Sequence, residues 1–419
     1  MSASSQLGFL INTEQSNQIL TRISELPQTQ KIDLAPYLKP SRRECCIFSE
    51  KCLDASLVPL GQKGKIGSLF LLKTNYTRRN LVAKFSPVKL AANFSEKPPR
   101  EISTKSSICF PLTAIQTFYL GLDEFSNETI IAYILNAVCQ PAGYRFVVQY
   151  YRSIFCENQG VNVMEFCDLG DLSLFPRQLT VINRYSEKIV VNGITWVVPT
   201  IVTMVQIFHQ VLAALDFLSQ QVGFISGDLK AANIFVKSEE STGSYRGMNI
   251  EAPFTCKISD YGKSSCLFPV KNQLGVATQA IRIFNEVSYA GVYFVAGDFE
   301  PEFTSSGRYV VDDYLLSNTY ANLRHMGSPY FRTYDFYTFV VSLLTVPEFY
   351  YRFFTSDYLV NSFWHPLWLN KQEEDLVKER IDAYISKSQR TGIGEAIGII
   401  KGISLSCTIL NDLILQQSV

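Results

Sequence analysis

The stretch FISGDLKAANIFV at 224–236 places Asp228, Lys230 and Asn233 in a D-x-K-x-x-N array, directly after a long apolar run. A carboxylate can take the proton of an attacking hydroxyl, an ammonium can neutralise charge on a phosphoryl group, and an amide oxygen can hold a divalent cation without adding a full charge. Further on, KISDYG at 257–262 supplies a second acid, Asp260, at a strand end and two residues before a glycine. That is the residue type a cation bridging phosphate oxygens requires. A solvated turn capping a helix could use the same residues at 228–233. The coincidence with Asp260 and with Lys84, a lysine inside the apolar run LVAKF, favours the chemical reading, because an unpaired ammonium is costly to bury. Gly61, Gly64 and Gly67 form a G-x-x-G-x-x-G stretch. Alone it reads as a turn; beside Lys84 it is suited to cover phosphates.

These residues need a sheet and a set of helices to position them. SLVPLGQKGKIGSLFLLK from 56 reads as strand, glycine turn and strand, and NLVAKFS as a further strand, which together predict an antiparallel sheet. NETIIAYILNAV puts Ile130, Ile131, Ile134 and Leu135 on one face of a helix that packs on that sheet. RFVVQYYRSIFC and GVNVMEFC read as two more strands. IVTMVQIFHQVLAALDFLSQ has the apolar spacing of a largely buried helix, and YDFYTFVVSLLTV and the last part of the chain continue the helical trend. Residues 1–55 show no sustained period and are read as an extension, punctuated by Pro27, Pro36 and Pro40.

Composition narrows the classes. With 38 Lys+Arg against 38 Asp+Glu the net charge is zero, so nothing draws the whole molecule to polyanions, and no nucleic-acid partner is expected. The 419 residues suffice for two or three ordinary domains, or for one two-lobed unit with an extension. Ten cysteines without a C-x-x-C pair argue against zinc sites and a disulfide framework. The start MSASSQLGFLINTEQ has neither the basic nor the apolar region of a signal peptide, so reduced thiols in a cytoplasmic compartment are expected. No membrane span is expected, since the longest apolar stretches, such as 339–346, are too short. Three scattered histidines leave little material for a histidine-based triad.

With these motifs in this order, the sequence resembles a divergent member of the eukaryotic-like Ser/Thr protein kinase superfamily over about 57–400. The resemblance implies an α+β, bilobal protein-kinase-like fold: a small antiparallel β-rich N-lobe at 56–166 with one main helix, and a larger α-helical C-lobe at 167–419. It implies ATP and Mg2+, or Mn2+, as cofactors and proteins with Ser/Thr acceptors as substrates. Asp228 would be the catalytic base, Lys230 the stabiliser of the transferred group, and Asn233 and Asp260 the metal ligands. Lys84 resembles the strand lysine of V-A-I-K, which binds phosphates and pairs with a helix glutamate. Glu128 is the candidate partner, with Glu101 the competitor, because 44 residues separate Lys84 from Glu128. VMEFCDLGDL at 163–172 resembles the hinge between lobes, where the backbone of Glu165 and Cys167 would meet adenine, Met164 would line the back pocket and Asp171 would bind ribose. Asp335 in YDFYTF resembles the acid that braces the catalytic-loop backbone.

The departures from the family pattern are specific. The glycine spacing is G-x-x-G-x-x-G; Ser226-Gly227 stands where the family has His-Arg, which removes the arginine that reads a phosphorylated segment; Tyr261 replaces the usual phenylalanine. Pro301-Glu302 is a weak counterpart of A-P-E, and 327–330 a candidate substrate-side turn. Two other readings stay open: a catalytically weak or dead kinase-fold scaffold, and a small-molecule phosphotransferase, which Ser226-Gly227-Asp228 resembles but Lys230 and Gly262 oppose. An intact acid set with eroded regulatory motifs resembles kinases of large DNA viruses, which would make virion or assembly proteins the substrates and the virion a second location.

Overall fold

The computed structural model describes residues 13–29, 31–39, 55–60, 68–74, 80–89, 92–96, 116–156, 159–179, 185–275, 277–285, 329–368 and 371–387. In chain order the elements used below are α1 (Thr13–Ser24), β1 (Ala55–Pro59), β2 (Ser68–Thr74), β3 (Leu81–Pro87), β4 (Ala92–Ser95), β5 (Gln116–Leu122), α2 (Glu124–Ala142), β6 (Tyr150–Cys156) and β7 (Gln159–Glu165). They continue with β8 (Ser186–Val191), β9 (Ile194–Pro199), α3 (Ile201–Val222), β10 (Ile234–Lys237), β11 (Thr255–Ile258), β12 (Cys266–Lys271), β13 (Ala277–Asn285), α4 (Pro329–Leu343), α5 (Pro347–Phe354) and α6 (Lys371–Lys387). The chain divides into two compact units, the first comprising Met1–Pro98, Ile115–Phe166 and Asp260–Ser288, the second the remainder.

The first unit is β-rich. Five strands form an antiparallel sheet in the order β1-β2-β3-β7-β6. Alternation along β3 sends Leu81 and Ala83 to one face, where they pack with Leu72, Ile154, Val161 and Val163, and sends Lys84 to the other. Asn162 is the cross-strand partner of Lys84 and faces the same way, since its amide oxygen accepts from Thr129 of α2. So α2 covers the lysine-bearing face. Gly160 permits the close approach: a Cβ there would lie 2.4 Å from the Phe125 ring. Helix α2 begins at Asp123, whose side chain accepts from the Ser126 N–H, and ends at Gly143 in the left-handed region at φ 74°.

A second sheet in this unit has the order β12-β13-β5-β4. Its central pair, β13 and β5, is parallel, with Gln279 opposite Gln116 and Asn285 opposite Leu122. Local sequence did not announce this sheet. Nor did it announce α1, which lies inside the segment read as an extension and buries Gln15, Ile19 and Ile23.

In the second unit α3 is the central helix. Thr200 caps it through the Thr203 N–H, Gly223 ends it at φ 52°, and residues along most of its length are buried. Phe208 on α3 meets the rings of Phe336, Phe339, Phe353 and Phe363, which ties α4, α5 and the following turn to it. α3 is also long and apolar enough to cross a membrane, and 78% of its most apolar window is packed inside the protein, as a core helix requires. The hairpins β8–β9 and β10–β11 interrupt the helical trend expected of this half.

The expectation of reduced thiols needs one correction. Cys139, Cys167, Cys256 and Cys266 are free and buried, but Cys156 is in a disulfide. Sequence spacing could not show this, because the bond depends on tertiary approach rather than on a local motif.

Candidate active site

In the first unit three of the candidate residues meet. The Lys84 ammonium lies 2.9 Å from both oxygens of Glu128 and 2.8 Å from Oδ1 of Asp260. Burial alone would lower the lysine's pKa; the charges of Asp260 and Glu128 outweigh it and hold the group well above its ordinary value, so Lys84 is a cation. Glu128 is 1% exposed in its side chain and Asp260 40%. That difference separates their chemistry: Glu128 can only orient the lysine, whereas Asp260 can also reach a solvated cation. Tyr150 donates to Glu128 at 2.6 Å, and its ring lies 5.8 Å from that of Tyr261. Glu101, the competing partner, is outside the described residues, as are Gly61, Gly64 and Gly67.

Asp260 sits at φ 62°, in the left-handed region that side-chain-bearing residues avoid. Two residues on, Gly262 is packed so closely that a Cβ would lie 2.8 Å from Cγ of Glu124. Burial and the charge of Asp260 push the Glu124 carboxyl up to about 7, against the opposing pull of Lys84. Glu124 and Tyr150 escaped the sequence reading; a tyrosine in YYRS carries no local mark that separates a hydrogen-bonding phenol from core packing.

In the second unit the array at 226–233 is a braced loop. Buried Asp335 accepts from the backbone N–H of Ser226 at 2.7 Å and of Gly227 at 2.9 Å. Gly227 takes φ 69°, which accounts for a glycine at this turn. Burial pushes Asp335 up to about 7; the two N–H bonds oppose the shift and the charge of Asp228 adds to it. Lys230 reaches both oxygens of Asp228, at 3.2 and 3.3 Å, and Asn233 Nδ2 donates to the Asp228 carbonyl at 2.8 Å. That bond uses the nitrogen of Asn233 and not Oδ1, the atom a hard cation takes. Ser342 of α4 accepts from the Ala231 N–H, and the Ser259 N–H donates to the Asn233 carbonyl, which ties the loop to the strand leading to Asp260.

The residues assigned to nucleotide contact are placed individually. Glu165 is buried, and its N–H and carboxylate are both engaged by the backbone of Gln149. Met164 and Cys167 are buried, and the Cys167 carbonyl accepts from Gly170. Asp171 Oδ1 caps the turn that follows it, accepting from the N–H groups of Ser173 and Leu174 and from the Ser173 hydroxyl. The candidate ligands offer a carboxylate and an amide oxygen, both hard oxygen donors. Among the described residues no three His, Cys, Asp or Glu side chains cluster as an all-protein metal cage. A small donor set fits a cation that keeps water and phosphate oxygens as its other ligands.

Residues 134–280 match the family model for the protein tyrosine and serine/threonine kinase domain. That match covers about a third of the chain, and over it the chain resembles a protein kinase domain. Among curated proteins it is similar to one of Acanthamoeba polyphaga mimivirus named "Putative serine/threonine-protein kinase R679", at 24% identity over 263 residues. The match covers 53% of this chain and 36% of the mimivirus protein, so the similarity spans about a third of that relative.

Proposed function

We propose that this protein transfers the γ-phosphoryl group of ATP to Ser or Thr hydroxyls of proteins, with Mg2+ or Mn2+. The observation that carries the reading is the pairing of Lys84 with Glu128 and Asp260. It keeps an ammonium charged and oriented beside an acid that remains partly exposed, an arrangement with a clear use in holding phosphates. The lobes are assigned as 56–166 and 167–419, except that 260–288 returns to the β-rich unit and helix α1, within 1–55, belongs to that unit as well.

In this mechanism Lys84 binds phosphate oxygens, and Gly61, Gly64 and Gly67 cover them. The backbone of Glu165 and Cys167 receives adenine, and Asp171 the ribose. Asn233 and Asp260 are the residues that would hold the cation, which when bound would neutralise charge on the phosphates. Asp228 orients the acceptor hydroxyl and takes its proton as the oxygen attacks the γ-phosphorus. The bond from that phosphorus to the β,γ-bridging oxygen breaks, and ADP departs with the bonding pair. Lys230, already on Asp228, stabilises the charge of the moving group. The similarity to a mimivirus protein favours virion or assembly proteins as the first substrates to test, and a virion location is part of the same proposal.

The test is transfer of labelled γ-phosphate to generic protein substrates and to the chain itself. Asp228→Asn is expected to lower turnover by roughly 100-fold or more while nucleotide affinity stays within about twofold. Asp260→Asn is expected to weaken metal-dependent nucleotide binding. Unchanged turnover in both variants sinks the assignment. A second reading, a catalytically weak scaffold, is favoured by Ser226-Gly227 in place of His-Arg; it gains if metal-dependent ATP binding occurs without transfer to any protein.

A further inference from the structure

The backbone after Asp260 is bonded to the strand and the helical turn that present Glu128. β12 and β13 form a hairpin, with Cys266 opposite Ile283, and β13 then runs parallel to β5 as far as Asn285 opposite Leu122. The next residue after β5, Asp123, caps α2. Within the first turns of that helix, buried Asn127 points its amide at this same backbone. Its Nδ2 lies within hydrogen-bond distance of the carbonyls of Tyr261, Gly262 and Ser264, at 3.1, 3.1 and 2.9 Å, so two N–H groups are shared among three acceptors. From the end of β13, Asn285 adds a further bond to the Gly262 carbonyl at 2.7 Å. Both asparagines are 0% exposed.

Asp260 needs this support, because its left-handed backbone is unfavourable unless the surroundings over-determine it. The segment cannot be held through a phosphate read by the catalytic-loop arginine, since Ser226-Gly227 supplies none. We infer that Asn127 is a positioning residue which, with the β12–β13 hairpin, holds Asp260 against Lys84, so that the metal-binding acid is assembled without phosphorylation of the segment that follows it. The inference rests on the phosphotransferase reading for its catalytic consequence, and on the hydrogen bonds alone for its structural one.

The experiment compares full-length wild type, Asn127→Leu and Asn285→Leu, the last removing the Asn285 bond to the Gly262 carbonyl in case the first does not fold. Hydrogen–deuterium exchange is measured on the metal-free, nucleotide-free chains. Asn127→Leu is expected to speed exchange over 260–265 by about tenfold or more, with β6 and β7 unchanged, and Asn285→Leu by a smaller factor. Metal-dependent ATP binding and turnover are then measured in wild-type and Asp260→Asn backgrounds. Asn127→Leu is expected to weaken both by about tenfold in the first background and to add no further loss of nucleotide affinity in the second, as a residue acting through Asp260 must. Phosphatase-treated wild type is expected to keep its full rate.

Unchanged exchange in both variants overturns the inference. So does an equal loss of nucleotide affinity in both backgrounds, or a wild-type rate that requires the phosphate. If wild type neither binds nucleotide nor transfers phosphate, the proposed function fails, while the exchange data still decide whether Asn127 holds the segment.

Discussion

Glu128 accepts from Lys84 on both oxygens and from Tyr150 on Oε1 while almost wholly withdrawn from water. Removing only the phenol oxygen, in Tyr150→Phe, deletes one hydrogen bond to a charged buried group, a change that costs about 1.5–3 kcal/mol. The expected result in urea unfolding is a loss of that size, with a raised KM for ATP and a smaller change in kcat. Asp335 gives a pH prediction. Its folded pKa is raised, so between the unfolded value near 3.8 and about 7 the folded state binds its proton more tightly than the unfolded state does. Its contribution to stability is therefore greatest at low pH and is lost as pH rises through about 7. The unfolding free energy of wild type minus that of Asp335→Asn is expected to fall from about pH 5 to 7 and to level off above. A difference that rises over that range would contradict the burial argument.

At the scale of elements, the contact between α2 and the sheet is narrow at Gly160, where any side chain meets the Phe125 ring. Gly160→Ala is expected to destabilise by about 1–3 kcal/mol through overpacking and to loosen the Lys84–Glu128 pair, seen as a lowered Tm and weaker ATP binding. Much of this layer was legible beforehand. The strands carrying Leu81–Pro87 and Gln159–Glu165 and the helices Glu124–Ala142 and Ile201–Val222 stand out because apolar periodicity is a local property, and the array 228–233 because its residue types are unusual together. What stayed hidden depends on partners distant in sequence. ATQAIRIFN reads equally well as a strand in any sheet, and nothing in it points to β5. Gln15 in α1 has the composition of a surface residue until its amide meets Tyr133 and Ser153.

For the molecule as a whole, that glutamine makes the N-terminal helix part of the β-rich unit rather than an appendage. Its Nε2 donates to the carbonyls of Tyr37 and Ser153, and its Oε1 accepts from the Tyr133 hydroxyl and the Ser153 N–H. From Ser153 the bonds run through Asn162 to Thr129, the residue after Glu128. Deleting residues 1–40 is expected to lower Tm and to speed limited proteolysis, because it strips cover from apolar groups and leaves Tyr133 and Ser153 without these bonds; an unchanged Tm would show that the helix contributes nothing to the unit. The parallel pairing of β5 with β13 has a consequence for biosynthesis. The ribosome delivers β5 long before β13, and most of the second unit's central sequence emerges between them. Closing so long a loop is slow and entropically costly. The β-rich unit therefore cannot complete its second sheet co-translationally in a single early step, and nascent chains that end before Asp260 are expected to be inert toward nucleotide, however well their first sheet has formed.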